Sequence, residues 1–170
     1  MATNQTYNVK RTTPMHIIIN LVLIITTVAV MEGISWFIHK YLFHGPLWFI
    51  HQSHHKPRAS WFEFNDVFSV FFGAISLYLM WDGRESLHTG FWVGVGISTY
   101  GIIYFIFHDW FIHSRVKPFK TNNPYLLGIR RAHKIHHKSM DKNPSEEFGL
   151  LLASGKYFRK HKKHQTPGIS

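Results

Sequence analysis

The chain has 170 residues, enough for one domain and too few for a second core. It contains no cysteine, which excludes disulfides and thiolate ligands. Its net charge of +10 lies mostly beside and beyond long apolar segments, so the basic residues point to a membrane surface and no nucleic acid is expected as a partner.

A polar tail over residues 1–14 precedes the first apolar segment, Ile17 to Ile38, which is interrupted only by small polar residues and Glu32. At ~1.5 Å per residue this segment reaches about 30 Å, the thickness of a bilayer core. Lys10 and Arg11 could open a signal peptide, but no small-x-small cleavage pattern follows, which favours a retained membrane helix ending near His39. From Tyr41 to about Phe64 the chain is rich in aromatics and histidines, and Gly45-Pro46 and Pro57 break any long helix there.

Val67 to Trp81 and Leu87 to Phe107 carry no Asp, Glu, Lys or Arg and form a hairpin through Asp82-Gly83. The second of these is again about 30 Å long as a helix, whereas the first is about 22 Å, short for a full crossing. Gly90 and Gly94 have the small-x-x-x-small spacing that lets helices approach closely. From Ser114 onward thirteen Lys or Arg face three acids, and positive-inside bias assigns this region to the cytoplasm. Pro118, Pro124 and Pro144 interrupt it, Ile129 to His137 is a helix candidate, and residues 156–170 form a basic tail.

Ten of the fourteen histidines fall into a repeated pattern. His39 and His44 make H-x-x-x-x-H, followed by His51, His54 and His55 as H-x-x-H-H; His108 and His113, then His133, His136 and His137, repeat it. On a helix, i, i+3 and i+4 share one face, so each H-x-x-H-H can aim two or three rings at a common point. In H-x-x-x-x-H the second ring is rotated by about 140° on an ideal helix. Those pairs need an unwound helix or two metals. Ten imidazoles are too many for one ion, which takes four to six ligands. Two metals with about five histidines each is the expectation; nitrogen-only ligands fit zinc, iron, copper or nickel, and a paired, ligand-rich imidazole site at a membrane surface suits two irons with positions open for dioxygen.

The segments and motifs together predict an all-α fold: a single domain over residues 1–170, an integral membrane bundle of three or four helices, with a cytosolic histidine-rich cap holding a dimetal site. The first and third segments lead into the two histidine regions, which therefore emerge on one membrane face. Glu32, Glu63, Asn65, Asp66 and Asp109 are the candidates to accept hydrogen bonds from ligating imidazoles, although Asp66 could equally be a helix cap. His16 and His88 are read as interfacial residues without a ligand role, and His161 and His164 as solvated.

The ordered motifs His39-Lys-Tyr-Leu-Phe-His44-Gly, His51-Gln-Ser-His54-His55-Lys-Pro-Arg58, Phe62-Glu-Phe-Asn-Asp66, His108-Asp-Trp-Phe-Ile-His113 and Ala132-His133-Lys-Ile-His136-His137 resemble the bacterial β-carotene 3-hydroxylase family. The resemblance runs from about Met31 to Leu152. It implies the wider fatty acid hydroxylase superfamily and a non-haem diiron monooxygenase. Such an enzyme holds two iron ions, uses O2 and hydroxylates C3 of a β-ionone ring, taking β-carotene through β-cryptoxanthin to zeaxanthin. It further implies a lipid-soluble carotenoid substrate, a bacterial inner membrane with lipid around the spans, and electrons from a ferredoxin or an NAD(P)H-dependent reductase. An acidic ferredoxin would meet the basic face around Arg130, Arg131, Lys134 and Lys138. The chain departs from the family between Arg115 and Ala132, and has Glu147-Phe148-Gly149 where Ser-Phe-Gly is usual. A fatty-acid or sterol hydroxylase, a desaturase, or a membrane metal transporter or store are the competing readings.

Overall fold

The structure is a computed structural model that describes residues 13–56, 60–117, 119–139, 141–143 and 145–158. Expectations that fall on Lys10, Arg11, Pro57, Arg58, Pro118, Pro144, His161 and His164 lie outside the described residues. Every regular element among the described residues is helical.

Helix α1 spans Pro14–Phe37, with proline in its first turn, where a missing N–H costs nothing. Its apolar side chains point mostly outward: Leu21, Val22 and Ile25 are exposed, and only Met31 and Glu32 are buried. An apolar surface of this kind suits lipid as solvent, not water. The helix does not end near His39; it continues to Phe43 as π-helix over Ile38–Phe43. A turn through Gly45 leads to the short α2, Trp48–His51, and a 3₁₀ turn over Gln52–His55. The stretch from Tyr41 that breaks any long helix is therefore still built partly of short helical turns.

Helix α3, Asp66–Gly83, and helix α4, Thr89–Tyr104, form the expected hairpin, and α4 also packs along α1. Glycine explains both approaches. A Cβ at Gly94 would stand 2.9 Å from the Ser76 carbonyl oxygen on α3, and one at Gly96 would stand 2.6 Å from Thr27 on α1. Ser76 donates to the Gly94 carbonyl at 2.7 Å, sealing the first contact. Gly90 plays a different part and lies against His88, whose ring accepts from the Gly90 N–H at 3.0 Å and caps α4. A small apolar core forms where the three helices meet, from Met31, Ile97 and Tyr100 with Phe72 and Ile75 against them.

Helix α4 also continues as π-helix, over Phe105–Ile112. Helix α5, Pro124–His136, is started by Asn123, whose side chain accepts from the N–H groups of Tyr125 and Leu126. Among the described residues two stretches are long and apolar enough to cross a membrane, Pro14–Phe43 and Thr89–Ile112. Helix α3, at 18 residues with an aspartate near each end, is not among them. Among the described residues the fold is all-helical, and its two long apolar stretches have the length and composition of membrane helices.

Candidate metal centre

Two π-turns build the site. The His44 N–H bonds to the His39 carbonyl at 3.1 Å, and the His113 N–H bonds to the His108 carbonyl at 2.9 Å, each an i to i+5 bond. That register sets each H-x-x-x-x-H pair one above the other along a hydrogen bond, so the helix widens instead of breaking. The 140° separation of an ideal α-helix does not apply. Gly45 ends the first π-turn rather than lying inside it.

The ten histidines gather into two adjacent groups. His39, His44, His51, His55 and His136 present nitrogens that all lie within 4.8 Å of one another, and so do those of His54, His108, His113 and His133. His137 joins the latter, its Nε2 standing 2.9 Å from that of His133. These are called the His136 group and the His108 group. Each H-x-x-H-H is divided between them, so two of its three rings converge on one point. The i, i+4 pair stays together, as His51 with His55 and His133 with His137. The middle histidine, His54 or His136, crosses to the other group. On a helix i+3 lies to one side of the i, i+4 line, and with two groups side by side that offset carries the ring across.

Orientation comes from the other ring nitrogen. Backbone carbonyls of Phe148, Lys142, Ser139 and Glu146 accept from Nδ1 of His39, His44, His55 and His136 at 2.8–2.9 Å. Glu63 accepts from His54 at 2.6 Å, Asp109 from His108 at 2.8 Å, and the Asn65 side-chain oxygen from His51 at 3.0 Å. A carbonyl or carboxylate can only accept, so Nδ1 carries the proton and Nε2 is left with a lone pair. Yet Nε2 atoms face each other at 3.1 Å for His39 and His51, and at 3.2 Å for His44 and His136 and for His54 and His108. Two lone pairs cannot hydrogen-bond. A cation between them resolves the conflict: imidazole nitrogens bind metal at about 2.0–2.1 Å, which puts right-angled neighbours about 3 Å apart. The donor set fits a metal in each group.

Burial keeps these rings neutral. It lowers His51 and His136 to about 3 and His55 to about 4, against an ordinary value near 6.5, and holds His54, His133 and His137 well below the usual range. Neighbouring imidazoles push several of them further in the same direction. Neutral imidazole is the form that ligates.

Of the five acceptor candidates, Glu63, Asn65 and Asp109 bond directly to imidazoles of the site. Asp66 does not. It takes the Arg115 guanidinium at 2.7 and 3.1 Å and accepts from the Glu63 N–H at 3.0 Å. Glu32 is also placed differently from expectation. Its Oε1 accepts from the N–H groups of Leu150, Leu151 and Leu152, and its Oε2 from the Tyr100 hydroxyl at 2.9 Å. It anchors the strap over residues 145–152, which supplies the Glu146 and Phe148 carbonyls. Sequence reading missed Arg115, which also approaches Asp109 at 3.6 Å and Glu63 at 3.8 Å. It missed Tyr104, stacked on His108, and the carbonyl acceptors, which no side chain announces. His16 is exposed and His88 caps α4, so both stand apart from the site.

Beneath the imidazoles lies a cavity of about 520 Å³ between α1, α3 and α4. His39, His51, His108 and His133 line one end, and Met31, Phe43, Phe68, Phe72, Ile97 and Phe105 supply much of its apolar wall. Its size falls within the range of small-molecule sites.

The chain is 36% identical over 138 residues to the "Beta-carotene hydroxylase" of Pseudescherichia vulneris, a match covering 80% of this chain and 78% of that one. It is 38% identical over 136 residues to the one from Pantoea ananas, covering 79% and 77%. The "Beta-carotene 3-hydroxylase 2, chloroplastic" of Arabidopsis thaliana is 38% identical over 128 residues, covering 72% of this chain and 41% of the plant protein. No solved structure matches the chain. The fatty acid hydroxylase family model matches residues 24–158, the whole stretch from the middle of α1 through the histidine cap to the strap, and the chain belongs to that family.

Proposed function

We propose that this chain is a β-carotene 3-hydroxylase, a monooxygenase that uses O2 to place a hydroxyl on C3 of the β-ionone ring, taking β-carotene through β-cryptoxanthin to zeaxanthin. The observation that carries the reading is the pair of inward-facing Nε2 sets roofing an apolar, three-helix cavity in a chain similar to bacterial and plant β-carotene hydroxylases. In this reading His39, His44, His51, His55 and His136 hold one iron, and His54, His108, His113, His133 and His137 hold the other. Bound there, the pair supplies the O2-dependent, redox chemistry that oxidising an unactivated C–H bond needs.

The protein's own residues do the remaining work. Glu63, Asn65, Asp109 and the carbonyls of Ser139, Lys142, Glu146 and Phe148 fix the directions of the His54, His51, His108, His55, His44, His136 and His39 rings. The cavity walls, Phe68, Phe72 and Phe105 among them, hold an apolar ring against the roof and exclude water. The outward apolar faces of α1 and α3 lie in lipid, the medium in which a carotenoid would arrive. The two long apolar stretches both run toward the histidine cap, so if both cross, α3 has to bring the chain back between them. We take α3 as a third crossing, residues 1–170 as a single membrane hydroxylase domain, and the cap as lying on the cytoplasmic side of a bacterial inner membrane. Lys134 on α5 and Lys138 in the turn after it are exposed, whereas Arg130 lies over the Phe111 ring, so the lysines are the part of the basic face open to an acidic ferredoxin or a reductase.

Expression in a bacterium that makes β-carotene tests the assignment, with pigments separated by chromatography and identified by mass. β-Cryptoxanthin and zeaxanthin are expected. Unchanged β-carotene, with new hydroxyl groups or double bonds on fatty acids or sterols instead, would transfer the same site to another lipid.

A further inference from the structure

The two histidine groups differ in the charge of what their Nδ1 atoms donate to. In the His136 group all five acceptors are neutral: four backbone carbonyls and the Asn65 amide. In the His108 group, His54 donates to the Glu63 carboxylate and His108 to the Asp109 carboxylate. Both bonds are short, and both carboxylates are nearly buried, with side-chain exposures of 9% and 12%. Arg115 stands near them at 3.8 and 3.6 Å and makes its close, two-pronged bond to Asp66.

A carboxylate acceptor draws the Nδ1 proton toward itself and leaves Nε2 a stronger donor, where a neutral carbonyl does so weakly. In a buried setting the two negative charges also act at short range on whatever cation the ring holds. We infer that the two sites are inequivalent by construction: the His108 group is the electron-rich, tighter site that takes metal first, and the His136 group fills second. The inference rests on the dimetal reading above. Glu63 and Asp109 are then positioning residues that set the order of loading through His54 and His108.

The test is a titration of the detergent-solubilised, metal-free full chain with ⁵⁷Fe(II) without oxygen, followed by Mössbauer spectroscopy and metal analysis. In the unaltered protein the first equivalent is expected to give one dominant quadrupole doublet and the second equivalent a distinct one. Glu63→Gln and Asp109→Asn keep an acceptor oxygen and remove the charge. Together they are expected to lower the tighter affinity by roughly 10–100-fold and to spread the first equivalent over both environments. Asn65→Asp adds a carboxylate to the His136 group through His51 and is expected to narrow the difference from the other side, so the inference does not depend on one pair of variants folding. Two irons that fill both environments together in the unaltered protein, or a loading order indifferent to all three substitutions, would overturn it. Failure to bind a second iron at all would remove the dimetal reading itself, a separate outcome visible in the stoichiometry.

Discussion

In the first half of the repeated pattern, His39 to His55, a π-turn, a glycine turn and two short helical turns return five imidazoles within one short loop. In the second, His108 to His137, the same π-turn is followed by an extended connection before α5 brings the remaining three back. The spacing and the π-turn are common to both, because an i to i+5 bond is local and needs only the backbone between the two histidines. The supports are not common. The longer connection carries Arg115, which ties it to Asp66 at the head of α3. The first half instead borrows its orientation from far along the chain: carbonyls of Phe148, Lys142 and Ser139 receive His39, His44 and His55. Charge helps to fix both halves, through Glu63 at His54 and Asp109 at His108, and the strap that Glu32 anchors serves both, through Phe148 at His39 and Glu146 at His136.

Removing the crossing rings tests whether the halves act as one site. His54→Ala and His136→Ala each take a ligand from the group built mainly by the other half. Each is expected to abolish hydroxylated pigment and to reduce bound iron below two per chain. The loss should exceed the roughly 10–100-fold that a lost supporting partner costs. Pigment chromatography and metal analysis on the purified variants read both.

The strap offers the next largest effect. Glu32→Leu deletes the acceptor for three backbone N–H groups, so the Phe148 and Glu146 carbonyls lose their anchor. Iron affinity should drop by about 10–100-fold, chiefly in the His136 group. Glu32→Gln keeps the accepting oxygen and should restore most of it, which separates anchoring from charge.

Acid should act through the neutral rings. His51, His55 and His136 have folded values of about 3, 4 and 3, below the ordinary one. As pH falls below about 6.5 the unfolded chain gains these protons before the folded one does, so folding weakens with acidification. The metal-free protein should be most stable above that pH and lose about 1.4 kcal/mol per pH unit for each such ring as pH falls toward 4. Thermal melts across this window, with and without iron, measure it; a flat profile would show that the rings are not buried neutral.

Helix contact is a smaller matter. Gly94→Val would drive a side chain into the Ser76 carbonyl, which cannot yield without moving α3. A cost of about 1–3 kcal/mol is expected, seen as a lowered melting temperature in detergent with iron content kept at permissive temperature. The smallest effect concerns the surface. Lys134→Glu with Lys138→Glu should slow turnover severalfold with an acidic electron donor and flatten its salt dependence, leaving iron loading unchanged.

Much of the site was legible because metal ligation demands a residue type at a spacing. Two copies of the paired motifs singled out the ten imidazoles that the fold gathers into two adjacent groups. Glu63, Asn65 and Asp109 were legible by proximity in sequence. Glu32 was noticed as an acid in an apolar helix, but its true partners, three N–H groups more than a hundred residues away, leave no trace in residue type. The carbonyl acceptors are invisible for the same reason, since every residue has one. The division of each H-x-x-H-H between groups was not legible, because helical periodicity treats i+3 and i+4 as one face, whereas two adjacent centres resolve the difference between them.

Sequence by itself determined the lipid-facing segments, the helical class and the histidine inventory, since hydropathy, helix period and imidazole chemistry are properties of residues and their spacing. Which ring serves which centre, how the helices widen to present them, and which carbonyl or carboxylate aims each one were decided only by tertiary structure. Those choices depend on groups brought together from opposite ends of the chain, where packing distance and the direction of a hydrogen bond replace order along the polypeptide.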